Sequence, residues 1–592
     1  MSKSSKNLTL IPVVSALGFI PMIVYNHVYH IGYHVFDWFP NDTDQYGDMY
    51  LFWKMVAIIV VACVMSGIML YQRKSRNFFQ FESSFYLLLF YLIFVTMSAL
   101  FSHYKKWVFA GSYELFESYF AVVAYAVICY YTYTVVQTKH QIDRIFAWSG
   151  IGVGVITLIG VFQFFGYNLY ASTIGKMLIT PIHQWDNLPQ ITSTTAKGIV
   201  TTTLYNQNYL SFYYGVMIPI LICLMIAKRE KKWRISCGIL FAGSCLCLYG
   251  SKSSSGILAL MITFILIGLI FASRKKKLVI GYGIVLTALA VIVTVLCVLT
   301  PIGAKLSYAF GGSYYLSDIC DLDGMETGDE SVMLNINGNN LFVSYDYDKE
   351  AGTVSVTCTD EQGNPVTQTP VDDETMLATV DDPLYAGCIL GMEQSDDRWI
   401  LDVELDNKYW FFSKGEDGTY YYYNPAQKWI KVKQIESVKL IRDDAFSGRG
   451  RIWNNTIPLL KNHVFIGSGA NTFALEYPQE DYIYNFYVNT PTTLDVKAHS
   501  WYLMQWVENG LPAMILFIAF YLCYLIKSIK LYRRFDMKKE MHWISLGIFS
   551  ALLTYMIVAL VNDSTVCTAS VYWVLLGLGI AVNRSLACNG EL

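Results

Sequence analysis

The groups in this sequence that could do chemistry gather in four polar stretches. In "KAHSWYLMQWVENGLPAMILFIAF", Lys497 to Phe520, a histidine, His499, opens a long apolar run and an acid, Glu508, sits about two turns further on. An imidazole titrates near neutrality (pKa ~6.5) and can take a proton from an attacking hydroxyl. A carboxylate inside an apolar run is costly and asks for a reason. "FSGRGRIWNNTIPLLKNHVFIGSGANTF" (446–473) adds Arg449 and Arg451, cations suited to a phosphate, and a Gly-x-Gly pair, Gly467 and Gly469. "YGSKSSSG" (249–256) sets Ser251 and Lys252 in a short turn. "TTTLYNQNYLSFYYG" (201–215) offers Asn206 and Asn208, which both donate and accept hydrogen bonds, with Lys197 just before it. Cations that hold a charged leaving group, beside a base, are the parts of a group-transfer site. Plainer readings exist: a histidine at a helix entrance can be an interfacial polar residue, the arginines can anchor an amphipathic segment, and the glycines can be turns.

The elements that must position these groups are membrane helices. Of 592 residues 54% are hydrophobic, 16% aromatic and only 15% charged, which excludes an ordinary soluble multidomain protein. Twelve apolar runs fall near 8–28, 50–71, 81–101, 117–136, 145–167, 204–227, 235–250, 255–273, 278–300, 501–526, 543–562 and 567–583, each about long enough to cross a ~30 Å hydrocarbon core. With the N-terminus in the cytoplasm, the basic clusters "QRKSR", "KREKKWR", "SRKKK" and "KSIKLYRRFDMKK" all land inside, as the positive-inside bias requires, which reads them as orientation signals rather than nucleic-acid contacts. The four polar stretches then lie outside. "MSKSSK" before the first run lacks a small-residue cleavage site, so that run is expected to stay as an anchor.

Three regions follow: a membrane region 1–300 with about nine spans, an extracytoplasmic loop 301–500, and a membrane region 501–592 with about three. The loop is too long to lack structure. Within 331–439, short alternating runs such as "VMLNI", "RWILDVEL", "KYWFF", "TYYYY" and "KWIKVKQI", separated by "NGNN", "EQGNP" and "GEDG", predict a small antiparallel β domain; the motif-bearing segment 446–499 follows. Residues 311–440 hold 25 acids against 8 bases, a net of −17, while the rest of the chain carries +14. Aromatics at Trp410, Phe411, Phe412 and Tyr420–Tyr423 could make a sugar-stacking face, but alternate ones are expected to fill the sheet core instead. Thirteen cysteines show no metal-ligand spacing; a disulfide among Cys320, Cys358 and Cys388 stays an open question. The fold class is thus a mainly α membrane protein of about twelve transmembrane helices, with a large extracytoplasmic loop carrying an inserted β domain.

"SGRGRIW", "NHVFIGSG" and "AHSWYLMQWVENGLP" together resemble the O-antigen ligase and O-antigen polymerase superfamily of bacterial membrane glycosyltransferases. Arg449 and Trp453 match its Arg-x-x-x-Trp element, Gly467 and Gly469 its Gly-x-Gly element, and His499, Tyr502, Leu503, Glu508 and Gly510 its histidine element. "LYNQNYLS" is similar to its Asn-Pro-Asn element, with Asn208 in the second Asn position. Ser251-Lys252 stands where the family has Ser-Arg, and Ser500 where it has Asn; Lys197 is a rough counterpart of a further arginine. Lysine keeps the charge but not the planar fork.

The resemblance implies an inverting enzyme of polysaccharide biosynthesis, in the bacterial cytoplasmic (inner) membrane with both termini inside, that transfers a glycan from an undecaprenyl pyrophosphate carrier to the hydroxyl of a glycan, lipid or other acceptor at the outer face. His499 is then the base and Arg449 the main cation. Lys252, Arg451, Lys197, Asn208, Ser251, Gly467, Gly469 and Tyr502 bind substrate, with Glu508 behind them. It implies no cofactor and no metal, positive side chains taking the place of a divalent ion. Two other classes stay open: a metal-dependent oligosaccharyltransferase-type enzyme using Asp42 and Asp44 of "NDTD", and a glycan exporter or surface sensor without catalysis.

Overall fold

A computed structural model describes residues 8–588 except 41–44, 73–80, 189–195, 275, 300–309, 349, 351, 372–375 and 396–397. Asp42 and Asp44 fall outside the described residues, as does most of "QRKSR".

Helices form on the apolar runs. Eight are long and apolar enough to cross a membrane. They are α2 (Phe52–Gln72), α5 (Lys139–Phe164), α6 (Gln207–Ala227), α7 (Lys231–Gly250), α8 (Ser254–Ala272), α12 (Leu511–Tyr532), α13 (Glu540–Val558) and α14 (Ala569–Cys588). Shorter apolar helical stretches occupy the other runs: α1 (Ile11–Met22), α3 (Phe85–Phe101), α4 (Tyr119–Val135) and part of α9 (Lys276–Leu299). Most of α6, α13 and α14 is buried, while α3 and α8 expose Leu89, Phe90, Leu258 and Met261. Apolar side chains on the outside of a bundle are what hydrocarbon tolerates and water does not.

The two ends of the bundle differ. At one end Lys228 pairs with Asp143 and Glu540, and Lys139 lies 2.6 Å from the same Glu540, tying α5, α6 and α13 together. At the other end the starts of α6 and α8 meet the link between α13 and α14, and the β sheets lie there.

Those sheets are two antiparallel meanders around one core. The first has four strands, Leu322–Thr327, Val332–Ile336, Asn339–Asp348 and Thr353–Thr359. The second has seven, Gln368–Pro370, Leu377–Val380, Ile389–Ser395, Arg398–Leu405, Lys408–Lys414, Tyr420–Tyr423 and Trp429–Ile430. Period-two burial places Leu334, Val343, Leu401, Trp410, Phe412, Tyr420 and Tyr422 inside, so these aromatics pack the core. Two features differ from the alternating pattern. A strand, Leu322–Thr327, precedes residue 331, and "KVKQI" after Trp429–Ile430 has no regular structure, because it passes from the sheet to a helix instead of pairing. Cys320, Cys358 and Cys388 are buried free thiols.

The tenth apolar run is not one helix. It breaks into α11 (Trp501–Asn509) and α12 at Gly510, whose φ is +85°, with Pro512 in the first turn of α12. A Cβ at residue 510 would lie 2.6 Å from the Phe465 carbonyl, so only glycine fits both the left-handed turn and the close approach. Glu508 therefore sits near the end of a nine-residue helix, ahead of the crossing helix.

Lys54, fully buried in the first turn of α2, donates to the carbonyls of Ile23, Tyr50 and Thr203 at 2.7, 2.6 and 2.8 Å. One ammonium thus satisfies three backbone acceptors from three segments and fixes the approach to α6. Lys54→Met leaves all three without a donor and is expected to cost at least ~3 kcal/mol. A lower melting temperature of the solubilised protein, with normal insertion into membranes, is the outcome to look for.

Candidate active site

The link after α13 organises the polar end of the bundle. Asn562 and Asp563 lie in it, fully buried. Asp563 Oδ2 is 3.3 Å from His499 Nδ1, and the carboxylate is 2% exposed against 33% for the imidazole. The neighbouring Asn562 accepts from Arg449 Nη2 at 3.3 Å and donates to Ser255 at 3.1 Å. Ser255 lies 2.9 Å from Ser253, which donates to Asn208 Oδ1 at 2.9 Å. Two adjacent residues therefore join the imidazole to the guanidinium, and the guanidinium to the turn before α8 and the start of α6.

Each partner is held by local backbone geometry. Arg449 belongs to α10 (Ala445–Leu459), after three successive left-handed residues, Phe446, Ser447 and Gly448 with φ of 53°, 63° and 86°. Such conformations cost ~1–2 kcal/mol for each non-glycine residue and persist only where the surroundings enforce them. Here the turn presents the Phe446 carbonyl to Arg449 Nη1 at 3.0 Å. His499 has a φ of 50°, and its backbone is clamped on both sides. Trp453 Nε1 donates to the Ala498 carbonyl at 2.8 Å, and the Trp501 amide donates to the carbonyls of Ala559 and Asn562. The indole of the Arg-x-x-x-Trp element thus fixes the residue before the histidine. Beneath, Trp501 packs on Phe517 with ring centroids 4.7 Å apart, and Tyr555 stacks on Tyr572 at 4.5 Å.

The two arginines of "SGRGRIW" have opposite fates. Arg451 makes a two-point contact with Asp481 at 2.8 and 3.1 Å and lies 3.9 Å from Asp443. Burial works against its charge, but the two carboxylates outweigh that and raise its pKa. Arg449 has no ion pair among the described residues, and its Nε is buried without a hydrogen bond. Burial pushes its pKa down, with Asp563 pulling the other way. Asp563 Oδ1 is likewise buried and unmet. A desolvated guanidinium without a counter-charge is a ready site for an anion.

The remaining sequence-predicted residues divide. Lys252, left-handed at φ 55°, is exposed beside Ser253 with its ammonium 4.4 Å from the Tyr249 ring centroid. Lys197 is exposed on the segment before α6. Four others expected to touch substrate are engaged within the protein. Ser251 is buried and donates to the Leu248 carbonyl; Tyr502 donates to the Met556 carbonyl at 2.9 Å. Gly467 and Gly469 press the chain against the end of α11: a Cβ at 467 would lie 2.1 Å from the Glu508 carbonyl carbon, and the Gly469 amide donates to the Glu508 carbonyl at 2.8 Å. Glu508, expected near the cations, is buried and accepts from the Phe473 amide at 3.3 Å.

Sequence reasoning missed Asn562 and Asp563, whose signal was an acid and an amide wedged between two apolar runs. It also missed Lys497, buried 2.9 Å from Glu114 with the rings of Tyr205 and Tyr209 within 6 Å, and Glu117, which accepts from Ser564 and Tyr125. Among the described residues no group of three or more potential metal ligands occurs.

These features define a polytopic membrane protein with a buried cation and an imidazole at one end of its helix bundle. Residues 421–518 match the O-antigen ligase family model, a segment that includes Arg449, Trp453, the paired glycines, His499 and Glu508. The match spans 98 of the 592 residues and supports the likeness to the O-antigen ligase superfamily. A search of curated proteins finds no match.

The contrast between the arginines can be measured. Arg451→Met strands Asp481 and Asp443 and is expected to cost ~3–5 kcal/mol, seen as a large drop in melting temperature. Arg449→Met removes an uncompensated charge and should leave that temperature unchanged or higher.

Proposed function

We propose that this protein is an inverting glycosyltransferase that moves a glycan from a polyprenyl pyrophosphate carrier to an acceptor hydroxyl at the outer face of the bacterial cytoplasmic membrane. The observation that carries this reading is the pairing of an unneutralised guanidinium, Arg449, with an imidazole, His499, through the consecutive residues Asn562 and Asp563. The O-antigen ligase family match over residues 421–518, which holds Arg449 and His499, supports it and points to a membrane enzyme of polysaccharide biosynthesis acting on a lipid-linked glycan.

In this proposal Asp563 holds the imidazole with its proton on Nδ1, which leaves Nε2 as the acceptor. Nε2 takes the proton of the acceptor hydroxyl as its oxygen attacks the anomeric carbon. The bond from that carbon to the pyrophosphate oxygen breaks, and its electron pair leaves with the pyrophosphate. Attack from the face opposite the leaving group inverts the anomeric centre. Arg449, with Lys252 at the mouth of the site, meets the charge on the departing pyrophosphate. Asn208, oriented through Ser253, is a donor to the sugar or phosphate. The sheets then lie outside the membrane and both termini inside.

Removing a general base costs ~10²- to 10⁴-fold in rate. His499→Ala and Arg449→Ala should each lose transfer to that degree in membranes that hold normal amounts of protein, scored as product formed from carrier-linked glycan. Asp563→Asn should lose less than His499→Ala, since it disturbs the orientation of the base and leaves the base in place. Near-normal turnover in the histidine variant sinks the proposal. Lys252→Arg, which keeps the charge, should be tolerated.

A further inference from the structure

At the end of the bundle away from His499, α5, α6 and α7 leave a crevice of about 330 Å³ between them. Its floor is apolar and buried: Phe146 of α5, Leu221 and Leu224 of α6, and Cys237 of α7. Gly150 lines it too, and a Cβ built there would meet no atom within 4 Å, so the space is open where α5 carries no side chain. The first turn of α7 adds an exposed ammonium, Lys232, and the half-buried indole of Trp233. Among the described residues no acid lines the crevice.

Positive charge around it is in surplus. Residues 228–234 hold five bases and one acid, Glu230. Lys228 is taken up by Asp143 and Glu540, and its ammonium lies 4.9 Å from the Trp233 ring centroid, which holds the indole against the crevice. Arg229, Lys231, Lys232 and Arg234 are all exposed and have no ion pair among the described residues, so four cations stand against Glu230 alone. Setting the orientation of a membrane helix requires only that such charge lie at its end. It does not require an apolar crevice with a lysine on its wall and an indole, a residue of membrane interfaces, beside it. The two features fit the two halves of one kind of molecule, an acyl chain for the crevice and an anion for the cations.

We propose that the crevice between α5, α6 and α7 is a binding site for an anionic phospholipid of the leaflet at that end, with an acyl chain against Leu221 and Leu224 and the headgroup phosphate on Lys232 and the cations beside it. The 21 residues of α6 separate this site from the candidate active site, a rise of about 30 Å. It is therefore distinct from any seat of a lipid-linked donor beside Arg449, and it stands independently of the glycosyl-transfer reading. A lipid held there joins three helices where their own side chains leave a gap.

The test uses full-length protein in a nonionic detergent, with dioleoyl phosphatidylglycerol as probe and dioleoyl phosphatidylcholine as the zwitterionic comparison with the same chains. Native mass spectrometry should show one phosphatidylglycerol bound saturably, at least ~tenfold more tightly than phosphatidylcholine. Lys232→Gln should weaken phosphatidylglycerol about fivefold and leave phosphatidylcholine unchanged. Gly150→Leu, which grows into the open space, should weaken both lipids. Glycerol phosphate, the anion without its chains, should not compete. Equal retention of the two lipids, unchanged phosphatidylglycerol binding in either variant, or displacement by glycerol phosphate overturns the site. Lys232 is exposed, so its variant decides the matter even where Gly150→Leu fails to fold.

Discussion

Everything at the polar end of this bundle depends on a short buried link, Asn562–Asp563, that touches a cation with one residue and an imidazole with the next. Opposite charges taken out of water normally collapse onto each other, because their attraction grows as the local dielectric falls. Here Arg449 is met by the amide of Asn562 and not by the neighbouring carboxylate, and each charged group keeps one buried atom unmet. The arrangement stores electrostatic demand without discharging it. The energy that desolvates Arg449 comes from the rest of the fold, from the clamp of Trp453 on Ala498 and the ring cluster under Trp501. Preorganisation of this sort lets a site meet charge that develops during a reaction without first rearranging.

The same logic explains why two arginines in one motif do different work. Successive helical residues turn by about 100°, so positions two apart point to nearly opposite sides. Arg451 finds Asp481 and Asp443 on its side and joins α10 to the segment that follows; Arg449 finds an amide and a carbonyl. The glycines fit this scheme. Gly467, Gly469 and Gly510 leave no side chain between the 465–469 segment and the end of α11, and that contact seats the chain that leads back to Phe473. Their value to the site is closeness of packing.

Much of this was legible in the sequence. Apolar length located the helices, because hydrocarbon admits few other solutions, and period-two alternation located the strands around Trp410 and Phe412. His499 and Arg449 stood out because polar groups beside apolar runs are expensive. The break at Gly510 was written in "ENGLP", a glycine followed by a proline two residues later, but an uninterrupted apolar count from 501 to 526 hid it. Asp563 was harder. Its partner is 64 residues earlier in the chain, and no local pattern encodes a contact across that separation. The inward turn of Ser251 and the capture of Arg451 by Asp481 depend equally on what the fold brings alongside.

The sheets carry a consequence of another kind. Every strand in both meanders pairs with the strand next to it in the chain, so their hydrogen bonding involves few distant partners. Structures dominated by such contacts assemble quickly, since little loop entropy is lost before pairing begins. The eleven strands can reach their register while α11 to α14 are still being synthesised. Nascent chain thus gains an early, independently nucleated body, and the polar end of the bundle closes last, around a scaffold already in place.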